Sequence, residues 1–271
     1  MEVTSYRESH ESPEVAAQYD HWFVNRVDSL VWDGFVKPWL HNALQDAKAR
    51  GATRYLDFAC GTGRILSQGA RYFAVPTGID VSGEMLARAA RRVPEAKLHC
   101  IDVTREESGH LGPYDCVTLF RFIRNAEPEL RHQVLDWIWR HTTDGAVLVL
   151  NNHGHSASIP GLVQRLAFWL PAEKRNRLSR RETYALLESA GFQVMECRGF
   201  QIMPSLFGRP ILGRRLQTAV ERILVKLGFG KFGYELVIVA RRSGQRPVPP
   251  VLPGDRSDRL MVHRGNDRAV P

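Results

Sequence analysis

Tyr55-Leu56-Asp57-Phe58-Ala59-Cys60-Gly61-Thr62-Gly63 reads as a short buried strand running into a tight glycine turn, with helical apolar spacing beyond it. A strand, a turn and a helix in that order make a ligand crevice at the C-terminal edge of a parallel sheet, where turn backbone and helix amides converge. A second apolar run, Thr77-Gly78-Ile79-Asp80-Val81, ends in a carboxylate nineteen residues past Gly61. At that place an acid can accept both hydroxyls of a ribose lying across the switch point of the sheet.

The glycines narrow the ligand further. A dinucleotide site wants a third small residue three positions after the second glycine, so that the helix N-terminus meets a pyrophosphate. Here that position is Leu66, and neither Gly61-x-Gly63-x-x-Leu66 nor Ala59-x-Gly61-x-x-Arg64 satisfies the pattern. Arg64 puts a guanidinium where bare amides would otherwise stand, which suits a carboxylate better than a pyrophosphate. The Gly-x-x-x-x-Gly-Lys-Ser/Thr run that cradles a triphosphate does not occur. A ligand with ribose, adenine and an amino-acid end fits what remains.

Here the sequence resembles the class I S-adenosylmethionine-dependent methyltransferases. The resemblance is carried by Leu56 through Arg64, then Gly78-Ile79-Asp80-Val81-Ser82 with Met85-Leu86, Ile101-Asp102-Val103, and Tyr114-Asp115-Cys116-Val117-Thr118-Leu119-Phe120, over roughly residues 50 to 152. It implies S-adenosylmethionine as cofactor and no metal. It implies that Asp57 and the turn from Gly61 to Gly63 hold the amino-acid end, with Arg64 near its carboxylate. Asp80 then takes the ribose hydroxyls, Val81 and Met85 wall the adenine, Asp102 accepts from the adenine amino group beside Val103, and Phe120 lends backbone to the methionine amine. Ala59 departs from the family, which usually has glycine there, and narrows the room above the turn.

Strands are expected near 54–59, 74–79, 96–100, 114–119 and 145–151, and helices near 63–71, 82–92 and 127–142. Such alternation calls for a parallel sheet covered by helices on both faces. The runs from Gly191 to Glu196 and from Tyr234 to Ala240 add two strands, and the resemblance implies that the second of them is antiparallel. The expected architecture is therefore an α/β, Rossmann-like, seven-stranded, mostly parallel sheet with a helical N-terminal lid and a helical insertion. The lid covers 1–46 and the methyltransferase domain 47–242, with the insertion at about 157–190 and a basic amphipathic helix at about 209–228; the tail over 243–271 reads as disordered.

Composition bounds the alternatives. At 271 residues the chain can bury a sizeable core. It has no apolar stretch long enough to span a bilayer, and its first residues lack the cationic-then-apolar plan of a signal peptide, so a cytoplasmic location is expected. Cys60, Cys100, Cys116 and Cys197 read as reduced, buried small hydrophobes. The formal charge of +8 is uneven: residues 209–232 carry a net +5 and residues 241–271 a net +4, so the rest of the chain is close to neutral. A protein that tracks a nucleic-acid backbone would carry its positive charge around the site, so no nucleic-acid partner is expected; nor is an obligate protein partner.

Three segments lie outside the sheet pattern. In the lid, Tyr19 and Trp22 are candidates to touch ligand, because in the family such an extension folds over the cofactor. In the insertion, Leu162, Leu166, Phe168, Trp169 and Leu170 predict an apolar helix followed by Lys174-Arg175-Asn176-Arg177 and Arg180-Arg181; in the family such segments shape the acceptor pocket. Between Pro210 and Phe232, apolar residues recur at helical spacing with Arg214, Arg215, Arg222 and Lys226 available to an exposed side. This segment reads either as an ordinary packed helix or as peripheral contact with an anionic membrane that holds a lipid-linked acceptor.

The reactive edge follows the fourth and fifth strands. Asn151-Asn152-His153-Gly154-His155 offers two imidazoles, whose pKa near neutrality suits a general base, with His153 preferred to His155 because it is nearer the strand end. Arg121 and Arg124 are candidates to orient an anionic acceptor and Phe122 to wall it, while His132 and His141 read as structural. The histidines favour methylation of an oxygen on a small or lipid-linked acceptor. The alternatives are N-methylation of an amine, since the turn also resembles the glycine and amino-sugar methylating branches, and a protein that binds the cofactor without turnover.

Overall fold

The computed structural model describes residues 26–168, 176–206 and 208–244. Tyr19, Trp22, the basic run from Lys174 to Arg175 and the tail beyond Gly244 lie outside the described residues.

The described strands are β1 (Tyr55–Phe58), β2 (Thr77–Asp80), β3 (Lys97–Cys100), β4 (Tyr114–Leu119), β5 (Thr142–His153), β6 (Phe192–Phe200), a short hairpin of β7 (Ser205–Leu206) and β8 (Arg209–Pro210), and β9 (Glu235–Arg242). Seven of them form one sheet in the order β3-β2-β1-β4-β5-β9-β6. Neighbours from β3 to β5 pair in parallel, whereas β9 runs antiparallel to both β5 and β6. The chain order reverses between β1 and β4, and that switch point is where an open α/β sheet leaves a crevice. The seven-stranded, mostly parallel expectation is met, including the antiparallel last strand.

The helices are α1 (Val27–Val31), which passes through a π turn at Trp32–Val36 into α2 (Lys37–Ala49), then α3 (Leu66–Gly69), α4 (Gly83–Arg92), α5 (Pro128–Arg140), α6 (Ile159–Phe168), α7 (Arg180–Ser189) and α8 (Arg214–Lys226). Local chemistry sets several starts. Ser82 Oγ accepts from Met85 N at 3.3 Å to cap α4, Pro128 opens α5 where no amide partner is needed, and Ser179 with Glu182 closes a capping box on α7.

Strand alternation divides the core in two. Leu56, Phe58, Val117, Leu119, Leu148, Leu150, Ile238 and Ala240 face α5 and α7 in one cluster. Tyr55, Cys116, Val149 and Val237 face the α1–α2 stretch in the other. Differences from the sequence reading have local causes. The second strand begins at Thr77 because Pro76 has no amide to donate to the ladder. The helix expected from residue 63 begins only at Leu66, because Gly63 sits at φ 78°, outside helical space. Residues 180–189 are the crossover helix into β6, with Leu186 and Leu187 in the core, so the irregular part of the predicted insertion ends before them. Cys60 and Cys116 are buried, but Cys100 is exposed, since β3 is the edge strand and its residues are mostly exposed or half-buried.

Candidate active site

On the sheet face toward α1 and α2, each central strand is apolar in its lower half and polar at its C-terminal edge. β1 carries Tyr55 then Asp57, β4 carries Cys116 then Thr118, and β5 carries Val149, Asn151 and His153. The register sets Asp57 beside Thr118 and His153 beside Glu235. Because β9 is antiparallel, its first residue, Glu235, arrives at the same edge as the last residues of its parallel neighbours.

Asp57 is buried; its Oδ1 accepts from Thr118 Oγ1 at 2.7 Å, and Thr118 in turn accepts from the Tyr55 hydroxyl at 2.7 Å. Its Oδ2 is buried with no partner. Burial pushes its pKa up to about 7, against the smaller opposing pull of the Thr118 bond.

Beside it, a cavity is lined by Phe58, Ala59, Ile79, Asp80, Val81, Ile101, Asp102, Val103, Thr104, Phe122, Leu130 and Val134. It is an apolar slot with two carboxylates at its rim. Asp80 Oδ2 accepts from Gly61 N at 2.8 Å and its Oδ1 from Ser82 N at 3.0 Å, so this acid both fixes the glycine turn and faces the slot. Asp102 Oδ1 accepts from Thr104 N at 3.0 Å and from its hydroxyl at 2.6 Å. Gly61 has φ 53° and open space where a Cβ would point, while a Cβ on Gly63 would lie 3.1 Å from Ala89 of α4. Ala59 adopts φ 54°, a left-handed conformation natural for the family's usual glycine. Met85 is fully buried on α4 and does not line the slot.

A second, smaller cavity lies between the α1–α2 stretch and the edge of the sheet, lined by Asp28, Val31, Trp32, Val36, Arg64, Phe120, Arg121, Asn151, Gln201 and Glu235. Its charges are interlocked. Arg64 stacks over the Trp32 ring at 4.6 Å, and Arg121 lies 3.7 Å from Asp28. Arg121 N donates to Asn151 Oδ1 at 2.6 Å, and Asn151 Nδ2 donates to Glu235 Oε1 at 2.6 Å. Arg121 holds φ 60°, a left-handed conformation whose strain the Asn151 bond helps to maintain. Burial raises the pKa of Glu235, with Arg121 opposing it.

His153 is buried, and its Nδ1 has no partner. Burial, then Arg121, Arg124 and Arg64, hold its pKa well below 6.5, so it is a neutral imidazole at neutral pH. His155 is buried as well; its Nδ1 lies 3.3 Å from Gly233 O, and burial lowers its pKa. Arg124 donates to the Tyr234 hydroxyl at 3.2 Å and packs against the backbone of Gly154. None of these three lines either cavity described. His141, half-buried at the C-terminal end of α5, stacks on Trp137 at 4.1 Å. Among the described residues, no trio of His, Cys, Asp or Glu side chains is placed to hold a metal.

Asp28, Gln201 and Glu235 were missed by sequence reasoning, and Asn151 was noticed without a role. Glu235 does leave a signal: an acid heading the otherwise apolar run Leu236-Val237-Ile238-Val239-Ala240 of a strand buried on both faces. Asp28 leaves none, because an acid in the first turn of a helix is ordinary.

Residues fit for an adenosyl amino acid are thus present together: the apolar slot with Asp80 and Asp102, the open Gly61 turn and the unpartnered Asp57 oxygen. Residues 33–196 match the methyltransferase domain family. This chain belongs to that family. The resemblance drawn from the turn and the three acids is borne out at the level of family and fold. A dTDP-4-amino-2,3,4,6-tetradeoxy-D-glucose N,N-dimethyltransferase of Saccharopolyspora spinosa is 34% identical over 103 residues, 36% of this methyltransferase-family chain and 40% of that one. A Geobacillus sp. chain is 31% identical over 108 residues, 38% of this chain and 42% of that one. The chain therefore spans about two fifths of the length of the curated relatives it matches.

Solved structures share the fold. Magnesium protoporphyrin IX methyltransferase from Synechocystis PCC 6803, with bound SAH, superposes at TM-score 0.57 and 16% identity over 88% of this chain and 97% of that one. The N-methyltransferase NodS from Bradyrhizobium japonicum, also with SAH, gives 0.52 and 14% over 85% and 99%. The cyclase SpnF gives 0.55 and 14% over 90% and 98%. One fold thus carries more than one chemistry, and the reaction must be argued from the site.

Proposed function

We propose that this chain is an S-adenosylmethionine-dependent methyltransferase acting on a small-molecule or lipid-linked acceptor, with an oxygen as nucleophile. The observation that carries the cofactor reading is the slot in which Asp80 and Asp102 stand at the rim of an apolar wall beside the open Gly61 turn. S-adenosylmethionine supplies an already activated methyl group, so the protein has to align the acceptor and exclude water. In this reading Asp80 and Asp102 bind ribose and adenine, and Asp57 and the Gly61–Gly63 turn hold the amino-acid end, with Arg64 near its carboxylate. Arg121, held by Asp28 and Asn151, orients the acceptor. His153 is the imidazole assigned to take the proton from the acceptor hydroxyl; it is neutral at neutral pH, and burial with Arg121, Arg124 and Arg64 makes it a weak base.

A second reading, N-methylation, is favoured by Glu235, a buried carboxylate on the small cavity that would accept from an amine N–H, Asp28 there being paired with Arg121. The named activity of the Saccharopolyspora relative is of that kind.

Calorimetry with S-adenosylmethionine and its demethylated product tests the cofactor; heat with nicotinamide coenzymes and none with these two would overturn the proposal. Labelled methyl transfer into a cell extract, followed by mass measurement of the product, identifies the acceptor. With that acceptor, His153→Ala should lose at least about 100-fold in kcat for an oxygen nucleophile. A loss within a few-fold, together with a large one for Glu235→Gln, selects the amine.

A further inference from the structure

The helix α8 fully buries two polar residues and exposes a line of apolar ones. It packs on α1 and β6, yet the residues it buries are polar: Gln217 and Glu221 are each 2% exposed. Glu221 accepts from Ile202 N at 2.6 Å and Met203 N at 3.1 Å, and Gln217 accepts from Ile211 N at 2.8 Å. The inner face is thus fastened by hydrogen bonds to the loop before it. Val220, Leu224 and Val225 are half-buried, with Val225 against the core, whereas Leu216 is 56% exposed, Ile223 57% and Leu227 67%. An amphipathic helix ordinarily turns that stripe to the core.

The outward face is ordered. Leu216, Ile223 and Leu227 follow a spacing of seven then four residues, which at 3.6 residues per turn lays them along one line. Arg215, Arg222 and Lys226 are each one residue earlier, so they form a parallel line about 100° round the helix. All three cations are exposed, and the helix's one acid, Glu221, is turned inward. Ile211 and Leu212 before the helix and Phe229 after it are exposed as well.

We propose that this face docks on an anionic lipid surface, with the leucine–isoleucine line entering the acyl boundary and the cation line at the headgroups. An apolar ridge flanked by cations, and no exposed acid on the helix, matches such an interface. Pairing this face with itself about a two-fold axis would bring like charges together, and a nucleic acid would leave the apolar line in water.

The test uses the full chain with vesicles of phosphatidylcholine alone or mixed with phosphatidylglycerol, in a sedimentation assay at low and high salt. The wild type should bind the anionic vesicles at low salt and neutral ones far less. Arg215→Gln/Arg222→Gln/Lys226→Gln should weaken binding about 100-fold, the loss expected for three cations near an anionic surface. Leu216→Gln/Ile223→Gln/Leu227→Gln should abolish whatever binding survives added salt. Both variants should melt with the wild type, because the changed side chains are exposed. The proposal is overturned if the wild type stays in the supernatant, if it binds both vesicles equally, if both variants bind undiminished, or if either fails to melt cooperatively. It is also overturned if ultracentrifugation finds a dimer that the leucine–isoleucine variant dissolves. None of these readouts involves methyl transfer, so their failure is separable from failure of the proposed activity.

Discussion

Asp57 is a buried carboxyl held far above its ordinary pKa by desolvation. Its pKa is about 7 in the folded chain against an ordinary 3.8, so between those values the native state binds a proton that the unfolded state has lost. Its contribution to stability therefore falls as pH rises from 3.8 through about 7, and at pH 8 the full penalty, on the order of a few kcal/mol, is present. Asp57→Asn keeps an acceptor for Thr118 without the charge. Thermal melts should find it more stable than wild type at pH 8 and no more stable at pH 4. An ammonium group arriving nearby would favour the ionised form, so wild-type affinity for S-adenosylmethionine should rise with pH up to about 7, by at most about tenfold per unit, and level off above it. In Asp57→Asn that slope should vanish; an unchanged slope in calorimetry would remove Asp57 from the ligand's surroundings. Ala59→Gly addresses a different strain. Relief of the left-handed alanine, about 1 kcal/mol, is nearly offset by the greater freedom of glycine when unfolded. Stability should hardly move, while affinity for the cofactor's demethylated product should rise as the wall recedes; weaker binding would contradict the crowding argument.

At the scale of elements, α8 reverses the usual rule for which helical substitutions are costly. Glu221→Ala leaves one buried amide, Ile202 N, and one half-buried amide, Met203 N, without their acceptor, and should cost about 2–4 kcal/mol in denaturant unfolding. Leu216→Ser removes an exposed side chain and should stay within about 0.5 kcal/mol. Equal costs would mean that the helix packs by its apolar face after all. The antiparallel β9 matters for a related reason. By running against its neighbours between β5 and β6, it delivers the start of a strand to an edge otherwise made of strand ends, which is how Glu235 meets Asn151 across 84 positions.

In the whole molecule, the two cavities share the C-terminal edge of one sheet, with Ala59 on one and Arg64 and Phe120 on the other. The division predicts separable kinetics. Arg121→Gln should raise the acceptor KM several-fold, since Arg121 lies on the second cavity only, and leave cofactor affinity unchanged; equal loss of both would merge the two roles. No helix among the described residues is long and apolar enough to cross a membrane.

The crossover from β1 through the glycine turn to Asp80 was legible because its signals are local. Strand period, positive φ at glycine and a carboxylate at a strand end are properties of a few consecutive residues. The cluster on the second cavity was not legible in the same way, since Asp28, Arg121, Asn151 and Glu235 become neighbours only when helix, loop and strands converge. Sequence by itself therefore determined the family, the sheet and the cofactor slot. Tertiary structure alone decided which charges gather on the second cavity and that α8 would bury its acid and expose Leu216 and Leu227. The physical reason is that backbone preference acts over a turn or a strand, whereas burial depends on which distant surface arrives, and here loop amides arrived where apolar partners were expected.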